Sequence, residues 1–244
     1  MQRVNSESTG WRAGSASALA VRQSIVAARE AFNENNETRV QGMSTASTSC
    51  LEPLWLFSFH HADMFSAPGI LEAALHEVKL CKDEGMLLHF GLCNASVDLL
   101  ERARRCNIVQ IDAVQNEWSV FHREAEQVKP ASAAASSKKG VLAWCARHDV
   151  PFVASAPFGG LKTRRSERAS LDYICPKLQN IAQNLGVSMH AALLAAMLHR
   201  GRQLGVKLLL LVGARTAAHA VDSISAAGIQ FSDAHAEAIF GRLG

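Results

Sequence analysis

Three features of the sequence predict an α/β fold built on parallel strands. Short apolar runs alternate with helix-length segments over residues 51–244, and that alternation implies parallel strands joined by helical crossovers. The runs are nearly continuous in apolar residues, as expected of strands covered on both faces. Each run also ends in small, polar or glycine residues, and in parallel α/β folds those ends share one rim where ligands bind. The pattern alone fits either a barrel or an open doubly wound sheet.

The elements follow in order. Residues 1–16 are rich in Ser and Gly and read as poorly ordered. Residues 17–32 carry Leu19, Ile25, Val26 and Ala28 among good helix formers and predict a helix. Residues 33–50 are polar without a period and read as a loop or disordered insert. Together these make an N-terminal segment, 1–50, ahead of a 51–244 domain. Strands are expected at Leu54–Phe59, Met86–Leu92, Ile108–Val114, Pro151–Ser155 and Val206–Val212. The first helix between them, Gly69–Glu84, stops at Gly85, a C-terminal cap signal. Val97–Cys106 is preceded by Ser96, an N-cap residue. Further helices are expected at Gly140–His148, Leu171–Leu185, Ser188–Arg202, Ala217–Ala226 and Ser232–Leu243. An Ala/Ser-rich loop at 130–137 and an Arg/Lys-rich loop at 161–168 interrupt the alternation.

Composition narrows the function classes. Hydrophobic residues at 48% and charged residues at 19% argue against global disorder. A net charge of +3 with scattered Lys and Arg gives no nucleic-acid footprint. Six cysteines (Cys50, Cys81, Cys93, Cys106, Cys145, Cys175) form no C-x-x-C pair. That spacing argues against a zinc module and a disulfide scaffold, and suits a reduced compartment, so a cytoplasmic location is expected. Arg3, Arg12, Arg22 and Arg29 with only Glu7 as an acid in that stretch also suit a mitochondrial presequence, the minor alternative. No apolar run has the length to cross a bilayer, and neither a membrane nor a nucleic-acid partner is expected.

The strand ends carry the candidate chemistry: His60-His61-Ala62-Asp63, Gly91-Leu92-Cys93-Asn94, Gln115-Asn116-Glu117, Ser155-Ala156-Pro157-Phe158-Gly159-Gly160 and Gly213-Ala214-Arg215-Thr216. Side chains alternate along a strand, so His60 and His61 are expected on opposite faces, a poor joint metal site; no metal is expected. Gly213 to Thr216 precede a predicted helix. Backbone N–H groups at a helix start, with the Arg215 guanidinium, suit a phosphate. Cys145 and His148 share a helix face, but no third group is apparent to orient them as a thiolate pair.

These same residues resemble the motifs of the aldo-keto reductase family, in order and spacing, over about residues 51–240. Phe59-His-His-Ala-Asp63 resembles L-H-x-x-D, Gly91-Leu-Cys-Asn-Ala-Ser96 resembles G-x-S-N-x-S/T, and Val114-Gln-Asn-Glu117 resembles V-Q-N-E/P. Val153 to Gly160 resembles A-Y-S-P-L-G-G, the helix Leu178–Val187 with Ser188 resembles I-A-x-x-x-G-V-S, and Val212-Gly-Ala-Arg215 resembles P-G-A-R/K. The resemblance implies a (β/α)8 TIM-barrel type, incomplete, with about five parallel strands retained, the fourth to eighth of the family barrel. It implies that His60 hydrogen-bonds a substrate carbonyl. It implies an NADP(H) site in which Cys93, Asn94 and Gln115 meet the nicotinamide carboxamide and Ser155, Pro157 and Phe158 line the cofactor. Gly213, Ala214, Arg215 and Thr216 would then grip the adenosine phosphate, with Ser223 at the family's adenine-contacting Asn.

The sequence departs from the family pattern where proton donation is concerned. The family donor is a Tyr tuned by an Asp and a Lys, all in the front third of the barrel. The one tyrosine here, Tyr173, falls beyond the fourth strand. Trp55 stands where the family usually has Asp, Cys93 where it has Ser, and Ser155 where a Tyr stacks on the nicotinamide. The expectation is therefore an NADP-dependent carbonyl/alcohol oxidoreductase, catalytically impaired as this chain stands. The alternatives are a non-catalytic nucleotide-binding or interaction protein, and a fragment of a longer active reductase. The expected partners are a small carbonyl substrate, if active, and a protein partner or second copy covering the open sheet edges.

Overall fold

The computed structural model describes residues 19–31, 33, 52–127, 134, 137–159 and 168–241, with residues 168–173 described by backbone only. Most of the loops expected at 130–137 and 161–168 lie outside these residues. Five parallel strands form one sheet in sequence order: β1 (Leu54–Phe59), β2 (Leu87–Cys93), β3 (Ala113–Glu117), β4 (Phe152–Ser155) and β5 (Leu208–Leu210). The chain divides into two compact units, Met1–Ala113 and Val114–Gly244.

The first unit holds helix α1 (19–31), β1, α2 (Ile70–Asp83), β2 and α3 (Val97–Cys106). Helix α1 buries Val21 and Ile25. Its Arg22 donates to Glu84 at 2.6 Å, and Asn33 beyond it accepts from the Glu52 backbone N at 3.0 Å. β1 and β2 run in register from Leu54 opposite Leu87 to Phe59 opposite Leu92. Phe59, Phe90 and Leu92 share one face and are buried; Phe59 stacks on Phe65 at 4.2 Å and meets Phe90 edge-on at 4.9 Å. Helix α2 presents Leu71, Leu75 and Val78 on one apolar stripe, all buried. Helix α3 starts at Ser96, whose hydroxyl accepts from Leu99 N at 3.3 Å, the expected cap.

The second unit holds β3, β4, α4 (Val141–His148), α5 (Arg168–Leu185), α6 (Met189–Gln203), β5, α7 (Ala217–Ser225) and α8 (Asp233–Phe240). β3 pairs β4 from Val114 opposite Phe152 to Glu117 opposite Ser155, and β4 pairs β5 from Phe152 opposite Leu208. Val114, Asn116, Phe152 and Ala154 are buried, with Leu142 and Trp144 of α4 and Leu178 and Ile181 of α5. Helix α6 is buried along Ala191–Met197. Gly201 lets it approach β5, since a Cβ there would lie 2.9 Å from the Leu208 side chain.

Three expectations need correction. The third strand begins at Ala113, five residues later than Ile108. Asn107 caps α3 in the left-handed conformation, and the approach to β3 is held by single bonds, Asp112 N to Phe90 O at 2.7 Å and Phe90 N to the Asp112 carboxylate at 2.8 Å. The apolar Ile111 in that approach is buried without being in the ladder. β5 is shorter than Val206–Val212. Nor are all strands covered on both faces: Leu209 of β5 is 53% exposed, and Trp55 of β1 is 70% exposed.

Candidate active site at the strand ends

In the first unit the ends of β1 and β2 present His60, His61, Cys93 and Asn94. β1 stops at Phe59, so both histidines lie in the turn beyond it and are exposed. Strand alternation no longer applies there. Their rings sit together, centroids 4.4 Å apart, which corrects the expectation of opposite faces. Among the described residues no group of three or more His, Cys, Asp or Glu is arranged for a metal ion. Asn94 is left-handed, φ 55°, a conformation asparagine tolerates better than most residues. Its Nδ2 donates to the His60 carbonyl at 2.8 Å, tying the end of β2 to the end of β1. Cys93 is buried; burial pushes its thiol up, against a smaller opposite effect from a hydrogen bond with Ser58. It therefore stays a neutral, weakly hydrogen-bonding group.

In the second unit β3 alternates so that Gln115 and Glu117 are half-buried on one face and Val114 and Asn116 are buried on the other. Register puts Gln115 opposite Val153 and Glu117 opposite Ser155, so Gln115, Glu117 and Ser155 share a face. Beyond β4, Ala156 is left-handed at φ 52°, Pro157 is buried, and the Phe158 ring meets His190 edge-on at 5.2 Å. Beyond β5, Gly213, Ala214, Arg215 and Thr216 are all exposed. Thr216 caps α7, its hydroxyl accepting from His219 N at 3.2 Å. The loop therefore leads straight into a helix start, where orphan N–H groups and the helix dipole favour an anion.

The family model described as Aldo/keto reductase family matches residues 44–240. The chain belongs to this family. It is 26% identical over 168 residues to pyridoxine 4-dehydrogenase of Escherichia coli (strain K12), covering 68% of this chain and 49% of that protein. It is 27% identical over 182 residues to probable pyridoxal reductase 2 of Schizosaccharomyces pombe, covering 64% and 50%. The chain thus spans about half the length of these curated relatives. Among solved structures it resembles the thermostable aldo-keto reductase Tm1743 in complex with the inhibitor epalrestat, with TM-score 0.61, 20% identity and coverage of 78% of this chain and 60% of that one. It also resembles a mutant of Gox0644 in complex with NADPH, with TM-score 0.57, 15% identity and coverage of 79% and 62%. At these identities the structural likeness establishes the fold, a TIM-barrel type, with five parallel strands among the described residues of this aldo-keto reductase.

Cys145 and Tyr173 of this aldo-keto reductase belong to helices and not to the strand-end turns. Cys145 is buried and its thiol is pushed up to about 12 by burial, so it is no thiolate nucleophile. His148 beside it packs on Trp144, ring centroids 4.6 Å apart. Tyr173 has its backbone in helix α5. One residue that the sequence motifs did not reach, His122, comes close to two that they did. His122 Nε2 lies 3.2 Å from the Gly159 carbonyl oxygen and 3.6 Å from a Glu117 carboxylate oxygen. Glu117 was visible in the strand-end motif, whereas nothing in the sequence linked His122 to a loop 37 residues on.

Proposed function

We propose that this chain is an NADP(H)-binding member of the aldo-keto reductases, of the carbonyl/alcohol oxidoreductase type, whose 244 residues alone turn over carbonyl substrates negligibly. The observation that carries the cofactor half is the shared face of Gln115, Glu117 and Ser155 at the strand ends, in a unit that also places an exposed Gly213–Arg215 loop at a capped helix start. The donor set suits the group. In the second unit Gln115 offers both donors and acceptors to a carboxamide, and Arg215 with the α7 N–H groups offers charge and hydrogen bonds to a phosphate. Cys93 and Ser155 weaken the nicotinamide end, one as a poor hydrogen-bonding group and the other for want of a ring to stack.

Bound NADPH would supply hydride to a carbonyl. The protein's part is to neutralise the negative charge that builds on the carbonyl oxygen. His60, exposed at the end of β1, can donate an N–H to that oxygen. The single tyrosine, Tyr173, follows β4 in the sequence, whereas the resemblance puts the family's donor in the front third of the barrel. General acid catalysis is typically worth about 10²–10⁴ in rate, and that is the deficit expected here.

Titration followed by NADPH fluorescence tests the reading. Weak NADPH binding is expected. Arg215→Ala should lose about tenfold in NADPH affinity and leave NADH within about twofold, because only NADPH carries the extra phosphate. The same protein should show negligible NADPH oxidation against an aldehyde panel that includes pyridoxal, the compound for which one relative is named. Equal losses for both cofactors would overturn the phosphate assignment. Robust turnover abolished by His60→Ala would overturn the impaired reading. Absence of NADPH binding would favour an interaction protein that keeps only the scaffold.

A further inference from the structure

We infer that His122 is a positioning residue for the turn that follows β4 and, through that turn, sets how the nicotinamide end of NADPH is held; the second half rests on the cofactor reading above. The turn has a demanding backbone. Ala156 has φ 52° and Gly159 φ 81°, and Gly159 N donates to Ala156 O at 2.8 Å. A left-handed alanine crowds its Cβ against its own backbone and persists where the surroundings hold it. The entry is held by the ladder, with Ser155 opposite Glu117. The exit is held by His122, whose Nε2 lies 3.2 Å from the Gly159 carbonyl oxygen. A carbonyl only accepts, so in this contact Nε2 carries the proton and donates.

The histidine is itself fixed in place. Ser119 Oγ accepts from His122 N at 3.1 Å and from Phe121 N at 3.2 Å, while Ser119 N donates to His122 O at 3.0 Å. That closes a tight loop directly after β3. Ser119 is buried, so these bonds are sheltered from water. Glu117 stands 3.6 Å from the same ring nitrogen, on the face it shares with Ser155. The imidazole therefore joins the end of β3 to the far side of the turn that carries Ser155, Pro157 and Phe158. No position in the cofactor motifs points to it.

Amide hydrogen exchange on the intact chain reads the turn without any ligand. His122→Leu should speed exchange across residues 152–159 by about tenfold or more and leave residues 97–106 unchanged. His122→Gln, which can place a side-chain N–H near the same carbonyl, should restore slow exchange. In a second arm, NADPH is titrated beside adenosine 2′,5′-bisphosphate, which carries the phosphate end but no nicotinamide. His122→Leu should weaken NADPH about tenfold and the bisphosphate less than about twofold, with His122→Gln recovering most of the loss. Unchanged exchange in the Leu variant overturns the inference whatever NADPH does. Equal weakening of both probes also overturns it, because it reports a general loss of structure. If the parent binds no NADPH, the cofactor reading fails, and the exchange result alone decides whether His122 holds the turn.

Discussion

Gly91 leaves no room for a side chain. A Cβ built there would sit 2.6 Å from Ser58 Oγ and 3.1 Å from the Ala113 carbonyl oxygen. The serine hydroxyl can rotate away, but the carbonyl belongs to the backbone entering β3 and has no such freedom. Ser58 also hydrogen-bonds the Cys93 thiol, so pushing it aside disturbs a residue of the candidate cofactor site. Gly91→Ala should therefore destabilise by roughly 1–3 kcal/mol, the usual range for overpacking a filled site. Adding Ser58→Gly should recover only part of the loss, since the Ala113 contact remains. Urea denaturation of the parent, the single and the double variant measures both steps. Full recovery in the double variant would mean that the hydroxyl alone sets the need for glycine.

Elements of the second unit are held together by one buried ion-pair cluster. Glu126, in the short helix Glu124–Glu126 after β3, accepts from Arg200 of α6, with Nε at 2.8 Å, and from Arg123 at 2.8 Å. Arg123 also donates to the Phe240 carbonyl of α8 at 2.5 Å, and both guanidinium carbons lie over the Phe240 ring, at 5.3 and 5.5 Å. Trp118 stacks on that ring at 6.2 Å. Burial by itself would raise the Glu126 carboxyl; the hydrogen bonds from Arg123 and Arg200 outweigh it and hold it below its ordinary 4.5. A carboxyl depressed in the folded state contributes stability that is complete above 4.5 and is lost as the pH falls through its folded value. The urea midpoint of the parent should thus fall with acid below that pH more steeply than that of Glu126→Gln. At neutral pH, Arg200→Leu should cost about 3 kcal/mol, the low end for breaking a buried pair, because Arg123 still partners Glu126. Equal acid dependence in parent and Gln variant would count against the cluster. None of this was legible in the sequence, because Glu126 and Arg200 lie 74 residues apart and no local rule links them. What was legible rested on local rules: helix Val97–Cys106 behind its Ser96 cap, β1 from its aromatic run, and the strand-end motifs. The third strand was misplaced because Ile108 and Ile111 look like strand residues, and nothing local says that the ladder begins only at Ala113.

For the whole molecule the sheet order places β1 at one end and β5 at the other. The apolar character of those two strands was plain from the sequence, but how much of it stays in contact with water was not. In β5 and just beyond it, Leu209 and Leu211 remain 53% and 54% exposed; in the same unit Val221 and Ile224 of α7 remain 67% and 74% exposed. An end strand offers unpaired backbone groups along one side. When its side chains are apolar and carry no charge, it invites another strand to add on. Val221 and Ile224 are three positions apart, so they lie on one face of α7 and widen the apolar surface of this unit. The 26.3 kDa chain, expressed by itself, is therefore expected to associate with a second copy or larger numbers of itself at concentrations of about 10–100 μM. Light scattering coupled to gel filtration reads the mass directly. Leu209→Lys with Leu211→Lys should shift the population toward monomer, because a lysine at a strand edge must be desolvated before another strand can pair there. Val221→Lys should add to that effect if the helix face takes part. The substitutions replace exposed side chains, so the urea midpoint should move little, which separates lost association from lost folding. A parent that runs as a monodisperse monomer across this range would show that these apolar surfaces do not drive association.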